Sequence, residues 1–236
     1  MTDNKHYKTC IMEQNLRTSL KAFKENGRFG YKNQENEVVI PCKYVSLSYF
    51  SEGLCKVEED ETFKIGYINT KGETIIPFKY LRGGDFKNGM AFVMGTNEKW
   101  GAINTKGETV IPFEFGYIIG FQEGLSAFIG ENHLYGFIDE VGNQVVPPVW
   151  KFAYSFHNGL ACVEDSNDLC GFIDKKGNVA IPCQWAVAER FYDSPSFTYV
   201  MDEQNNWFKI DRQGNVVCQF GPNRPCWNNN QLVQRK

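Results

Sequence analysis

Short apolar segments alternate with turn-forming residues along almost the whole chain. In one stretch, Trp100-Gly-Ala-Ile103 is followed by the polar loop 104–108 and then by Thr109-Val-Ile-Pro112. Two short strands joined by a polar loop with glycine near its end are typical of a hairpin with a type I turn and a glycine bulge. We therefore predict a β-hairpin here, with Gly107 in the left-handed conformation. We also predict that Pro112 closes the second strand, because proline lacks a ladder donor.

This hairpin returns at a nearly constant interval. The glycine of its first strand recurs after 36, 35, 35 and 35 residues, at Gly30, Gly66, Gly101, Gly136 and Gly171. Such a period indicates a repeat architecture, in which one supersecondary unit is copied and stacked. An Asx residue three positions after that slot precedes every turn, and we assign its side chain to the loop backbone. The Asx residues are Asn33, Asn69, Asn104, Asp139, Asp174 and Asp211.

A further strand completes each repeat. A phenylalanine nine residues after the proline and a turn ending in glycine lead into apolar segments such as Met90–Val93 and Leu125–Phe128. A short extended piece adds a fourth strand. We predict an all-β fold of about six repeats of about 35 residues, each with three to four strands, arranged like a propeller. An open curved β-repeat array, or solenoid, is the alternative.

The repeats also define the predicted domain boundaries. Residues 1–18 form an N-terminal segment, residues 19–220 a β-repeat domain of six units, and residues 221–236 a C-terminal cap or tail. The sixth unit is degenerate, with Phe208 in the slot of the strand glycine and Gln219 in the slot of the proline. Atypical end copies are expected, because the outer face of a terminal repeat has no neighbour to cover it.

The repeated residues resemble the bacterial WG repeat, named for a Trp-Gly pair that is intact here at Trp100-Gly101. The shared pattern is aromatic-Gly-aliphatic-Ile-Asx-x-x-Gly-x-x-Ile-Pro, then an aromatic residue, then Phe-x-x-Gly-Leu. It covers about residues 20–220. The resemblance implies a binding or scaffolding module, and it brings no shared catalytic residues to this chain.

Composition and charge exclude several classes of protein. Apolar residues make up 42% of the chain and aromatic residues 15%, which is enough for a continuous core and inconsistent with disorder. The net charge is −3 without long runs of either sign, so we expect neither nucleic acid nor a membrane surface as a partner. Neither a secretory apolar region nor an apolar run of 18 residues occurs, so we expect a soluble cytoplasmic protein.

The sequence offers little that would support catalysis or metal binding. Its eight cysteines include no C-x-x-C pair, and five of them occupy apolar slots of the repeat, so we interpret them as reduced structural thiols; the five are Cys42, Cys55, Cys170, Cys183 and Cys218. The three histidines, His6, His133 and His157, belong to no catalytic motif, and there is no P-loop, nucleophile elbow or dinucleotide fingerprint. We therefore expect no enzymatic activity, no cofactor and no metal.

The most variable loops are the candidate binding surface. Each connects the strand after the phenylalanine to the next aromatic-Gly strand, and equivalent loops gather on one face of a repeat array. These loops are polar and moderately acidic, so they fit either solvated hairpin tips or a rim that binds a protein partner. The candidate rim residues are Glu59, Asp60, Asn97, Glu98, Asn132, His133, Asn167 and Asp168.

These observations predict a non-catalytic protein-interaction or scaffold module. It would serve as an adaptor, an effector accessory or a partner that neutralises a toxin. A small-ligand or glycan-binding propeller is the first alternative, and a hydrolase with a site assembled across loops is the second.

Overall fold

The computed structural model describes residues 20–191, 196–223, 226–228 and 231–233, the last two ranges by their backbone alone. The predicted N-terminal segment, residues 1–18, lies outside the described residues. All of the described elements are β-strands, which confirms the all-β prediction. The chain divides into two compact units, Met1–Glu114 and Phe115–Lys236.

The first unit contains three antiparallel sheets. The first sheet has three strands, β1 (Lys21–Glu25), β2 (Arg28–Lys32) and β3 (Val38–Tyr44). The second has four strands, β4 (Ser46–Leu47), β5 (Leu54–Glu58), β6 (Ile65–Asn69) and β7 (Thr74–Tyr80). The third also has four, β8 (Arg82–Gly83), β9 (Met90–Met94), β10 (Trp100–Asn104) and β11 (Thr109–Phe115).

The second unit contains three four-stranded sheets and a terminal hairpin. The first sheet comprises β12 (Tyr117–Ile118), β13 (Leu125–Ile129), β14 (Tyr135–Asp139) and β15 (Gln144–Trp150). The second comprises β16 (Phe152–Ala153), β17 (Leu160–Glu164), β18 (Cys170–Asp174) and β19 (Val179–Trp185). The third comprises β20 (Val187–Ala188), β21 (Thr198–Met201), β22 (Trp207–Ile210) and β23 (Val216–Gly221). In the segment predicted as a cap or tail, the hairpin pairs β24 (Cys226–Asn228) with β25 (Gln231–Val233).

Every four-stranded sheet is an antiparallel meander whose strands follow the order of the chain. Its first strand is the short extended piece predicted from the sequence, and in the second sheet Ser46 pairs with Glu58 and Leu47 with Val57. A four-stranded meander repeated along the chain is the blade pattern of propellers. The predicted repeat of three to four strands is therefore confirmed.

The proline of the repeat does not end its strand, contrary to our prediction. β7 continues through Pro77 to Tyr80, and its pairing with β6 shifts register between the two ends. Proline is accommodated because β7 lies at the edge of its sheet and bulges there. The bulge also explains the strand glycine, since a Cβ on Gly66 would lie 2.8 Å from the carbonyl oxygen of Ile76.

The core is continuous from one repeat to the next within each unit. In the first unit, one buried cluster extends from Leu54 of the second sheet to Ile103 of the third. The phenylalanine nine residues after the proline contributes a ring pair to this core, as in Tyr67–Phe86, whose centroids are 4.9 Å apart. Such edge-on pairs add about 0.5–1.5 kcal/mol to the burial of their area.

The hairpin turns supply a second contact between successive repeats. Gly107 has a φ of +81°, and a Cβ at this position would lie 3.3 Å from Cγ1 of Ile76 in the preceding repeat. In the second unit, Gly177 faces Val146 and Gly214 faces Ile181 in the same way, at 3.0 and 3.2 Å. The turn glycine is therefore required both by its left-handed backbone and by the neighbouring repeat.

Candidate functional site

Each repeat has two kinds of hairpin loop, which lie at opposite ends of its strands. One kind, the Asx turns, joins the second long strand to the third, as between β6 and β7. The other kind joins the first long strand to the second, and we call those of the second to sixth repeats the tip loops; in the first repeat this connection is the two-residue turn Asn26-Gly27. The tip loops comprise residues 59–64, 95–99, 130–134, 165–169 and 202–206.

The Asx side chains hold the backbone of their turns, as predicted. Oδ1 of Asn104 accepts hydrogen bonds from the backbone N–H groups of Lys106 and Glu108, both at 3.0 Å. The Gly107 N–H closes the turn by donating to the Asn104 carbonyl at 2.8 Å. These carboxylates and amides are therefore used in building the turns.

Each Asx turn also contains one amide and one carboxylate that bind each other. In the third repeat, Nδ2 of Asn104 donates to Oε2 of Glu108 at 2.7 Å. In the fifth, the roles are exchanged, and Nδ2 of Asn178 donates to Oδ2 of Asp174 at 2.9 Å. The hydrogen bond from the Asn178 amide is the main cause that lowers the pKa of Asp174. Partial desolvation raises this pKa, and two backbone N–H groups lower it further. The remaining pairs are Asn33–Glu37, Asn69–Glu73, Asp139–Asn143 and Asp211–Asn215.

Four of the five tip loops have the same hydrogen-bond pattern as the Asx turns but different residues at the strained position, whereas the longer loop 59–64 is closed by the Glu59 N–H donating to the Lys64 carbonyl at 3.1 Å. The Gly95 N–H donates to the Lys99 carbonyl at 2.9 Å, and the Glu98 N–H donates to the Gly95 carbonyl at 3.0 Å. Glu98 thus occupies the left-handed position that Gly107 occupies in its turn. The left-handed tip residues, with their φ values, are Phe63 (56°), Glu98 (59°), His133 (61°), Asp168 (65°) and Asn205 (64°).

The asparagines among the predicted rim residues support the tip loops. Nδ2 of Asn97 donates to the carbonyl of Phe113 at 2.9 Å, and Nδ2 of Asn132 donates to the carbonyl of Pro148 at the same distance. The backbone N–H of Asn167 donates to the carboxylate that begins its own loop, at 2.8 Å. The side chains of Asn97 and Asn132 therefore tie each loop to the outer strand of its sheet.

Three of the predicted rim carboxylates have partners nearby. Asp60 forms an ion pair with Arg28, and Asp168 forms one with Lys151. Glu59 accepts a hydrogen bond from the threonine hydroxyl of its own loop. Exposed ion pairs of this kind contribute about 0–1 kcal/mol, so a binding partner can replace them at little cost.

The tip residues Glu98 and His133, which the sequence analysis proposed, are exposed. The structure adds Phe63, which the sequence analysis did not propose and whose side chain is 62% exposed. Counting two residues back from the aromatic slot at Ile65 would have found it, because the same count from Trp100 gives Glu98. A phenylalanine with positive φ is unusual, because bulky residues rarely adopt the left-handed region.

The thiols differ in their surroundings. Cys55 and Cys162 are buried, whereas Cys218 is exposed although its slot is buried in other repeats. The reason is its place in the last repeat, since Ile181 in that slot packs on Gly214 of the following repeat. In the part of the chain that the structure describes, no group of three or more His, Cys, Asp or Glu side chains is arranged to hold a metal ion. None of the described residues forms a helix that could span a membrane.

The chain matches a known protein family along most of its length. The family described as "WG containing repeat" matches residues 29–63, 65–100, 100–129, 135–169 and 171–206. No curated protein matches the sequence. The matched segments together cover most of the chain, and their spacing is that of the sheets described above.

Solved structures resemble the chain at low sequence identity. A crystal structure of the eukaryotic initiation factor is 13% identical, with a TM-score of 0.54, over 92% of this chain and 64% of that chain. The crystal structure of BamB from Moraxella catarrhalis is 11% identical, with a TM-score of 0.46, over 91% of this chain and 75% of that chain. The first of these likenesses supports the fold and nothing beyond it.

Proposed function

We propose, from the premise that the chain belongs to the WG containing repeat family, that it is a non-catalytic module that binds a protein partner. Within each unit, the binding surface consists of the exposed residues at its own tip loops. In the first unit these are Phe63 and Glu98, and in the second they are His133, Asp168 and Asn205.

One observation carries this proposal, namely the residue type at the left-handed position of two otherwise equivalent loops. In the Asx turns the position is glycine in every repeat after the first, whereas in the tip loops it always bears a side chain. A non-glycine residue in this conformation costs about 1–2 kcal/mol. Strain that is retained where glycine would relieve it is a reason to infer a use for the side chain.

Geometry alone accounts for the glycines but not for the tip residues. Gly107 is packed against Ile76, so a Cβ at this position would be crowded by the Ile76 side chain. In the tip loops the side chains of Phe63 and Glu98 extend into solvent, and glycine would fit there as well. Asn, Asp and His tolerate the left-handed region better than other residues do, which makes Phe63 and Glu98 the most informative pair.

The character of the first unit's tip loops suggests the partner's chemistry. Phe63 offers an uncovered ring, and Asp60, Glu61 and Glu98 place carboxylates in the same loops. Aromatic residues, phenylalanine among them, are enriched in protein interfaces relative to the rest of the surface. A partner with an apolar pocket bordered by basic residues would complement this surface.

The test is partner capture with a pair of glycine substitutions at the tips. The full-length chain is immobilised and exposed to native lysate from its source, as wild type and as Phe63→Gly/Glu98→Gly. The double variant should fold with unchanged or slightly higher stability, since strain is relieved, and should lose the captured protein. Mass spectrometry then identifies that protein and distinguishes the roles of adaptor, effector accessory and toxin neutraliser.

Asn36→Gly is the matched control. Asn36 is also an exposed, non-glycine residue with positive φ, at 66°, but it lies in an Asx turn. The Asn36→Gly variant should capture the partner as the wild type does. The proposal fails if no protein is captured, if the tip substitutions leave capture intact, or if Asn36→Gly abolishes capture equally.

A further inference from the structure

A second site lies in the first unit, at the end of the strands opposite to the tip loops. It is a cavity of about 420 Å³ lined by Leu20, Tyr31, Tyr49, Phe50, Ser51 and Asp85. This volume is within the range of small-molecule pockets. Because Ser51 precedes β5 while the tip loop follows that strand, the cavity and the tip residue Phe63 are separated by the length of β5.

The aromatic wall of the cavity is held in place by the core. Tyr31 is only 3% exposed, and its ring lies 5.0 Å from that of Phe50, centroid to centroid. The Tyr31 hydroxyl donates to the carbonyl of Ser48, which fixes the orientation of the ring. Two rings of the cavity are therefore pre-organised before any ligand arrives.

The third ring is unusually exposed. Tyr49 is 86% exposed, the largest exposure of any large apolar or aromatic residue that the structure describes. The faces of aromatic rings attract cations through the ring quadrupole. Tyr49 therefore adds to the cavity lining an exposed ring that a bound cation could contact.

A carboxylate, that of Asp85, also lines the cavity, and it has no counter-ion among the residues that the structure describes. Asp85 is exposed and makes no hydrogen bond or ion pair with any residue the structure describes. The ammonium group of Lys56 is bound to the carbonyl of Gly83, at 3.1 Å. The charge of Asp85 nevertheless acts on a neighbouring residue. The pKa of Tyr67 is raised mainly by the burial of Tyr67, and the negative charge of Asp85 raises it further.

Tyr49 and Asp85 occupy the same slot of successive repeats, immediately before Phe50 and Phe86. The corresponding residues later in the chain are Gly120, Ser155 and Arg190. Among the repeats that the structure describes, only this pair therefore combines a ring from one repeat with a carboxylate from the next in this slot. The combination is specific to the first unit and is not a general feature of the repeat.

We propose that this cavity binds an organic cation, an ammonium or guanidinium group. The rings of Tyr31, Tyr49 and Phe50 contact the cation, and Asp85 supplies the counter-charge. The cation belongs either to a free small amine or to a lysine or arginine side chain of a polypeptide. The site rests on observations separate from those at the tip loops.

Ligand-observed NMR titration of the full-length chain tests this assignment. The probes are tetramethylammonium, tert-butanol as its neutral counterpart of similar shape, and N-acetyl-lysinamide. Tetramethylammonium or N-acetyl-lysinamide should bind at least about three-fold more tightly than tert-butanol. Stronger binding of tetramethylammonium indicates a free quaternary amine, and stronger binding of N-acetyl-lysinamide indicates a polypeptide side chain.

Substitutions locate the binding and exclude a general effect of charge. Asp85→Asn and Tyr49→Ala should each weaken binding of the preferred cation by about three-fold or more, and both should fold because both residues are exposed. Tyr154→Ala, at another exposed tyrosine, and Glu114→Gln, at another exposed carboxylate, should bind as the wild type does. Equal binding of tert-butanol, unchanged binding by the first two variants, or equal loss in the controls would overturn the proposal.

Discussion

The contact between Gly107 and Ile76 makes a quantitative prediction about how successive repeats are joined. Alanine at position 107 leaves the other residues of the turn unchanged and adds one methyl group at a φ of +81°. The left-handed conformation alone should cost about 1 kcal/mol, after allowing for the lower entropy of alanine in the unfolded chain. The methyl group would also lie 3.3 and 3.4 Å from Cγ1 and Cγ2 of Ile76, and this overpacking should add about 1 kcal/mol.

Gly53 provides the comparison that separates the two costs. Its φ is +80°, and a Cβ there would meet nothing within 4 Å. In urea denaturation at pH 7, Gly53→Ala should therefore lower the unfolding free energy by about 1 kcal/mol and Gly107→Ala by about 2 kcal/mol. Lys106→Ala, which changes an exposed residue of the same turn, should stay within about 0.5 kcal/mol of the wild type.

A double-mutant cycle tests whether the extra destabilisation by Gly107→Ala comes from the contact with Ile76. Ile76→Ala is itself destabilising by about 2–5 kcal/mol, because Ile76 is fully buried. In that background Gly107→Ala should cost no more than Gly53→Ala, giving a coupling energy of about 1 kcal/mol. Equal costs for the two glycine substitutions in the wild-type background, or no coupling to Ile76, would refute the inter-repeat role of the turn glycine.

Two further predictions concern the Asx turns. Asn104→Asp should lower the unfolding free energy, because it places a carboxylate against Glu108. Adding Glu108→Asn should restore most of the loss, because it recreates the pair seen at Asp174 and Asn178. A double variant that is no more stable than Asn104→Asp in urea denaturation would contradict this. The lowered pKa of Asp174 means that its ionised form contributes stability above the unfolded value of about 3.9, and this contribution is lost as pH falls through the lower folded pKa. The stability difference between wild type and Asp174→Asn should accordingly shrink below about pH 4. A difference that stays constant down to pH 2 would be evidence against a stabilising hydrogen bond from Asn178 to the ionised carboxylate of Asp174.

The sequence was most informative where a residue type is demanded by local geometry and repeated. Gly107 and Asn104 could be assigned because only a few residues suit a left-handed turn position or an Asx turn. Five copies have glycine at the first position, and all six have Asn or Asp at the second. Pro112 was misinterpreted because a proline stops an ordinary strand, whereas here the bulge that accommodates it depends on the glycine of the partner strand. That compensation involves two strands and is not visible in either one.

The candidate sites were less accessible because they depend on differences between copies. Phe63 was overlooked since its loop is one residue longer than the others, which hid its equivalence to Glu98. Tyr49 and Asp85 are far apart in sequence, and each looks like an ordinary polar position until the sheets stand side by side. The cytoplasmic location and the lack of enzymatic activity stay predictions.

The exchanged amide–carboxylate pairs constrain how the copies diverged after duplication. Moving from an Asn–Glu pair to an Asp–Asn pair needs two mutations, and the order in which they occur matters. If the acidic partner changes first, the intermediate has two amides, which can still bind each other. If the amide changes first, two negative charges face each other. A path between the two pairs that avoids facing carboxylates therefore passes through a neutral Asn–Asn pair, whichever of the two came first.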